Sequence, residues 1–259
     1  MGKVYLVGAG PGDAELLTVK AHRVLAQADV VLHDALVSEE ILAIVRGRAV
    51  VIDIGKRCGR KLLTQDEINA LLVQHARTAK VVVRLKGGDP SVFGRSGEEI
   101  AALTEAGVDF EVVPGITTAL AAAASAKISL TDRRFASSVT LMTAHRGTGL
   151  EAVEWKRLVT SGSTIAIYMP GRDYAHLSAE LRAAGLAANT PCIVVSDATR
   201  ADEQKLYTSL EQLPVCAELP APSLLIVGRC AAAIEPVEVD GVVIDQKSAV
   251  FLENHKEIA

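Results

Sequence analysis

VYLVGAGPGDAELLT, running from Val4 to Thr18, decides how the chain is read. An apolar run of strand character meets glycines at Gly8, Gly10 and Gly12, with Pro11 and Asp13 set among them. A strand that enters a glycine-rich turn and then a helix opens an α/β sheet. The dinucleotide fingerprint of such a turn is G-x-G-x-x-G, with pyrophosphate on the helix N-terminus. Here Asp13 holds the third glycine's position, and Pro11 removes a backbone N–H that a phosphate needs. A carboxylate at that point repels phosphate. The turn matches a nucleotide fold in outline and contradicts it in chemistry. It is either a plain strand-to-helix turn or a loop built for another ligand.

Outward from this stretch the same alternation repeats. ADVVLHD, AVVIDIG, KVVVRLKGGD and DFEVVPG read as further strands. Between them, Thr18 to Ala28 has helical spacing, with Val19 and Leu25 on its apolar side. SEEILAIV opens a helix with Ser38 as N-cap, and TQDEINALLVQHA carries the Thr64–Glu67 spacing of a capping box. SGEEIAALTEAG is a helix stopped by Gly107. Strands alternating with helices predict a mostly parallel sheet covered by helices. After Pro114-Gly115 the pattern changes. A small-residue helix, Thr117 to Ala126, leads to SVTLMTAH, TIAIYMPG, a helix from Tyr174 to Ala184, PCIVVSDAT and PSLLIVGR. That is a second sheet with four strand candidates, and it puts a domain boundary at 114/115. The first domain is expected at 1–114, the second at 115–234, and a surface tail at 235–259.

Composition narrows the function. The 259 residues carry a formal net charge of -4 and 3% aromatics. There is no basic field and no stacking platform for nucleic acid, so no nucleic-acid partner is expected. No apolar run reaches the roughly 18 residues of a membrane span, and the start has no signal-peptide pattern. A cytoplasmic protein without a membrane partner is expected. Cys58, Cys192, Cys216 and Cys230 are scattered without CxxC spacing, which predicts reduced thiols and no metal site.

Several loops end strands of the first half and so share one sheet edge, where open α/β sheets bind ligands. Asp34 ends the second strand, the place of a ribose-binding acid, a general base or a solvated turn residue. IGKRCG carries Lys56 and Arg57. RLKGGDPSVFGRSGEE carries Lys86, Gly87, Gly88, Asp89, Arg95 and Glu98, and VVPGITTA carries Thr117 and Thr118. Paired glycines let a ligand lie against the backbone. Together these loops describe a cleft with a cationic side and a polar, nucleoside-like side.

In order, VGAGPGDAELLTVKA, HDALV, GKRCG with Gln65, Ile68 and Asn69 downstream, RLKGGDPSVFGRSGEE, VPGIT and YMP resemble the uroporphyrinogen-III C-methyltransferases. These belong to the tetrapyrrole (class III) S-adenosylmethionine-dependent methyltransferases, and the resemblance runs from about Val4 to Gly228. It implies two α/β domains of the tetrapyrrole methylase type with the active site in a trough between them. It implies S-adenosylmethionine as cofactor, S-adenosylhomocysteine as its product, a tetrapyrrole substrate and a homodimer. By analogy Pro11, Gly87, Gly88, Asp89, Val92, Thr117, Thr118, Met169, Ala198 and Ser223 hold the cofactor. The family's proton acceptor matches Asp34 and its proton donor Lys56. Arg95 and Glu98 match positions at the tetrapyrrole, and Arg57 and Arg133 are expected to pair with its carboxylates. The implied reaction is double C-methylation of uroporphyrinogen III to precorrin-2. Another precorrin C-methyltransferase is the alternative.

The chain departs from the family in three places. The family's G-I-P-x-T-H-R is here Lys127-Ile128-Ser129-Leu130-Thr131-Asp132-Arg133. An acid beside Arg133 is expected to weaken substrate binding or to mark a modified substrate. Ser91 replaces a common aromatic, with loss of packing expected. Ala198 replaces a frequent glycine, with less freedom for backbone approach to the cofactor expected.

Overall fold

A computed structural model describes residues 1–55, 63–144, 155–159 and 162–232, apart from the side chains of 157 and 158, and the backbone of 238–239 and 242–243. The chain forms two compact units, Met1–Thr118 and Ala119–Ala259.

In the first unit five strands carry the sheet: β1 (Lys3–Gly8), β2 (Val30–His33), β3 (Val50–Asp53), β4 (Val81–Lys86) and β5 (Phe110–Val113), in the order β3-β2-β4-β1-β5. Every pairing in it is parallel. Register brings the strand ends level: Gly8 pairs with Lys86, Val7 with Val113, and His33 with both Leu85 and Asp53. The expected single edge of loops is therefore real. Alternation along each strand feeds two cores. Val7, Val31, Val83 and Leu85 pack with Ala21, Val24 and Leu25 of α1 (Val19–Leu25) and Ile41 of α2 (Glu39–Leu42). Leu6, Leu32 and Val82 pack with Ile68 and Leu72 of α3 (Gln65–Ala76) and Leu103 of α4 (Ser96–Glu105).

One local expectation needs correction, and a second holds with a different hydroxyl partner. Val19 is 88% exposed, because the buried stripe of α1 runs through Ala21, Val24 and Leu25. Ser38 stands at the N-cap of α2, but its hydroxyl donates to the Gly12 carbonyl at 2.8 Å and ties the first loop down. Thr64 caps α3 as its spacing predicts: Glu67 N–H donates to Thr64 Oγ1 at 3.2 Å, and Thr64 N–H to Glu67 Oε2 at 2.7 Å. Thr64→Ala is expected to cost about 1 kcal/mol, seen as a drop of about 2–4 °C in Tm; an unshifted thermal scan would remove the cap from the stability account.

The second unit holds α5 (Thr118–Ser125, whose first residue belongs to the first unit), β6 (Ser138–Thr143), α6 (Trp155–Leu158), β7 (Ser163–Tyr168), α7 (Tyr174–Ala183), β8 (Pro191–Ser196), β9 (Gln204–Ser209) and β10 (Ser223–Val227). Its sheet runs β6-β7-β10-β8-β9, parallel only between β6 and β7. β9 is the strand missing from the sequence reading. On one face Ala119, Ala122 and Ala123 of α5 meet Ala166, Ile193, Val195, Leu224 and Ile226. Small side chains let that helix lie close to the sheet, so the alanine run is core. Leu177 and Leu181 of α7 cover the other face. Of the expected tail, Glu238–Val239 pairs with Val242–Val243; the rest of it lies outside the described residues.

Candidate active site

The site begins as a floor of glycines. A Cβ on Gly115 would stand 2.3 Å from the Gly88 carbonyl oxygen and 2.8 Å from Gly8 Cα. One on Gly8 would stand 2.6 Å from Gly115 N. The loops after β1, β4 and β5 thus touch backbone to backbone. Two hydrogen bonds close the first pair: Gly10 N–H to Gly88 O at 3.1 Å and Gly88 N–H to Gly10 O at 2.7 Å. Gly10 and Gly88 take φ of 71° and 67°, which glycine adopts without strain. Pro11, half-buried, sits between Gly10 and Gly12. Asp13 caps the short turn that follows, its Oδ1 accepting from Glu15 N–H at 2.8 Å. Its carboxylate serves the chain itself, in keeping with a loop that is no phosphate cradle.

Asp89 latches the floor. Its Oδ2 accepts from Gly115 N–H at 3.0 Å and its Oδ1 from Ser91 N–H at 2.8 Å and from the Ser91 hydroxyl. The Ser91 departure therefore supplies a latch where lost packing was expected. Val92 N–H closes the turn on the Asp89 carbonyl at 3.2 Å. Thr117 is buried, and Thr118 Oγ1 lies 3.9 Å from where a Gly88 Cβ would be. At Gly87 the nearest atom to such a Cβ is Leu36 Cβ at 3.4 Å. This leaves half-buried backbone at Gly87–Gly88 beside the Thr118 hydroxyl, a fitting bed for a small polar ligand.

Asp34 follows β2 at the same edge. Its Oδ1 accepts from Arg84 Nη2 at 2.5 Å, and its side chain is 34% exposed. Arg84, Lys86 and Glu99 are buried, and sequence reasoning did not foresee that they form one cluster. Burial first, then the charge of Arg84, pulls the Lys86 ammonium below the usual lysine range, and Glu99 opposes both.

Arg95 is the N-cap residue of α4, with φ of 56°. It forms a two-pronged pair with Glu98, Nε–Oε1 at 2.8 Å and Nη2–Oε2 at 2.7 Å. That bond holds the Glu98 carboxyl below the usual range and raises Arg95. The Gln65–Asn69 signature braces this corner: Gln65 Nε2 donates to Asn69 Oδ1 at 3.1 Å, and Asn69 Nδ2 to the Glu98 carbonyl at 3.4 Å. Lys56 and Arg57 lie outside the described residues.

In the second unit the remaining candidates gather at one edge. Met169 follows β7, Ala198 follows β8, and Ser223 opens the antiparallel β10, where it pairs with Ser196 while Leu224 pairs with Tyr168. Met169, Asp197 and Thr199 take positive φ, a cost of about 1–3 kcal/mol each that recurs at ligand sites. Ala198 itself does not, so alanine strains nothing there. Glu203 secures this loop: its Oε2 accepts from Thr199 N–H at 2.6 Å, and Lys205 Nζ lies 3.1 Å from its Oε1. Asp132 is not available to Arg133. Both its oxygens are taken by Arg134, whose Nη2 donates at 2.7 Å and backbone N–H at 3.0 Å, and its carboxyl is held down to about 2. Arg133 is exposed, and the acid beside it in sequence is paired with Arg134 instead.

Among the described residues no three His, Cys, Asp or Glu side chains are grouped to hold a metal, and no helix is long and apolar enough to cross a membrane. A groove of about 400 Å³ runs between α3 and α4, past Asn69, Val73, Arg77 and Glu105, and none of the candidate residues lines it.

A parallel sheet with a glycine floor and an acid at its carboxyl edge, joined to a mixed second sheet, defines a class. The chain belongs to the tetrapyrrole (corrin/porphyrin) methylases, whose family profile matches residues 3–214. Within the family it is 47% identical over 229 residues to siroheme synthase 1 of Klebsiella pneumoniae and 48% identical to that of Yersinia enterocolitica, covering 88% of this chain in each case. It spans about half the length of these curated relatives, 49% and 48%. Among solved structures it is similar to the uroporphyrin-III C-methyl transferase of Thermus thermophilus complexed with S-adenyl homocysteine. The TM-score is 0.79 at 38% identity, over 90% of this chain and 100% of that one. A cobalt precorrin-4 methyltransferase also reaches 0.79, at 32% identity over 88% and 95%.

Proposed function

We propose that this chain methylates uroporphyrinogen III at C2 and C7 with S-adenosylmethionine, giving precorrin-2 for sirohaem- or cobalamin-type tetrapyrrole synthesis. The observation that carries the reading is the convergence, on one sheet edge, of the Gly8–Gly88–Gly115 floor with Asp34. Pro11, Gly87, Gly88, Asp89, Val92, Thr117 and Thr118 are the proposed cofactor residues of the first unit; Met169, Ala198 and Ser223 are those of the second. When bound, the cofactor supplies an electrophilic methyl carbon on a sulfonium. The chain's own task is to hold a nucleophilic pyrrole carbon in line with it, an orienting effect of about 7–11 kcal/mol. Asp34 then accepts the proton that leaves the macrocycle. Arg95 and Arg133 pair with the substrate's carboxylates, guanidinium being suited to two-pronged contacts. Arg57 shares that role, and Lys56 stands at the position of the family's proton donor. A cytoplasmic homodimer is part of the reading, with sedimentation as its check.

The experiment is incubation with S-adenosylmethionine and enzymatically made uroporphyrinogen III. A product heavier by two methyl substitutions is expected. No mass change, beside a competent control enzyme, rejects the substrate, and turnover of a later precorrin alone moves the assignment to that step.

A further inference from the structure

The buried charge cluster under the GGDP loop has no part in the roles assigned so far. Arg84 spends each guanidinium nitrogen on a different element. Nη2 donates to Asp34 Oδ1 at 2.5 Å, Nε to Glu99 Oε1 at 2.8 Å on α4, and Nη1 to the Leu85 carbonyl at 3.1 Å on β4. Lys86 Nζ donates to both Glu99 oxygens, at 2.9 and 2.8 Å. Arg84, Lys86 and Glu99 are 3%, 2% and 0% exposed. The loop folds over the cluster: a Cβ on Gly94 would stand 3.2 Å from Lys86 Cε. Asp34 is the one end of the quartet that reaches solvent. Its Oδ2 has no hydrogen-bond donor among the described residues. The His33 ring closes the backbone side, its Nδ1–H donating to the Asp34 carbonyl at 3.0 Å.

A quartet of two cations and two anions with three members buried is a poor stabilising device. The desolvation penalty offsets the attraction, and apolar residues of equal volume are often no worse. What such a cluster supplies is a fixed geometry. Arg84 and Lys86 alternate on β4 toward the face where α4 packs, and Glu99 clamps both. Lys86 runs directly into Gly87 and Gly88. The orientation of the Asp34 carboxylate is thereby tied to the backbone of the glycine loop.

We propose that Arg84, clamped by Glu99 and Lys86, is a positioning residue that holds Asp34 Oδ1 so that Oδ2 faces the proton to be removed. This rests on Asp34 being the proton acceptor. A misplacement of about 1 Å in such a group costs about 10²-fold in rate. The test is a double-mutant cycle with Arg84→Met and Asp34→Asn, reading kcat, both KM values and S-adenosylhomocysteine affinity. Arg84→Met is expected to lower kcat by about 10²-fold with KM and inhibitor affinity unchanged. In the Asp34→Asn background the same change is expected to cost almost nothing, because the residues act as one unit. If the single losses multiply, Arg84 does not act through Asp34 and the proposal falls. If Arg84→Met fails to fold, Arg84→Lys replaces it in the cycle: it keeps the charge and loses the fork, and about a tenfold loss of kcat that vanishes with Asp34→Asn is expected. Full activity in Asp34→Asn alone removes the proton-acceptor reading and this inference with it. Full activity in both Arg84 variants with an inactive Asp34→Asn overturns the inference alone.

Discussion

Asp34→Asn is expected to lower the rate of methyl transfer to uroporphyrinogen III by about 10²–10⁴-fold, the range that a positioned proton acceptor contributes. The amide is nearly the size of the carboxylate and cannot accept the proton. Its carbonyl oxygen still receives the Arg84 hydrogen bond, and Arg84 keeps Glu99 at 2.8 Å whatever stands at position 34. The sheet edge should therefore survive, and the floor at Gly8, Gly88 and Gly115 contains no atom of Asp34. S-adenosylhomocysteine affinity, measured by calorimetry, is expected to stay at the wild-type value while release of that product in turnover collapses. A variant with wild-type turnover removes Asp34 from the mechanism. A variant that loses inhibitor affinity and activity together assigns the residue to the architecture of the edge.

The first sheet was legible because each strand is a short apolar run punctuated by glycine, proline or acid. Such punctuation is local, and it placed Gly8, His33, Lys86 and Val113 at one edge before any register was known. The misfit of Asp13 was legible for the same reason, and the structure gives it a local partner in Glu15 N–H. What escaped was non-local. Arg84 and Lys86 in VVVRLK look like polar residues where a strand comes out of the core. Only the placement of Glu99, thirteen residues beyond Lys86, makes them a buried cluster. Nothing in FGRSGEE says which of its two adjacent acids turns inward; Glu98 pairs outward with Arg95 and Glu99 inward. β9 escaped because QKLYTS, at a sheet's margin, sets only Leu206 and Tyr207, side by side, among polar residues and so lacks the period-2 pattern of a strand, with Lys205 buried against Glu203. Asp132 was weighed against its sequence neighbour Arg133, whereas the backbone carries it to Arg134. The substrate cations Lys56 and Arg57 lie outside the described residues, and their roles rest on the resemblance alone.

Gly115→Ala is expected to weaken cofactor binding strongly and to destabilise the first unit. The backbone at 115 is not in the left-handed region, so alanine meets no conformational penalty there. The obstacle is space: its Cβ would stand 2.3 Å from the Gly88 carbonyl oxygen and 2.8 Å from Gly8 Cα. Both obstacles are backbone and have no rotamer to change, so the loops must part. Parting them strains the Asp89 Oδ2 bond to Gly115 N–H and the paired bonds between Gly10 and Gly88. Overpacking of this kind costs about 1–3 kcal/mol. The displaced backbone is the bed proposed for the cofactor, so affinity for S-adenosylhomocysteine is expected to fall by about 10²-fold, as about 2.7 kcal/mol of lost binding implies. Gly97→Ala is the control, because a Cβ there meets nothing within 4 Å and lies in the first turn of α4, where alanine is the better helix former. It should leave affinity and Tm at or above wild type. If Gly115→Ala binds the inhibitor as tightly as Gly97→Ala does, the touching glycine loops are not the cofactor's bed.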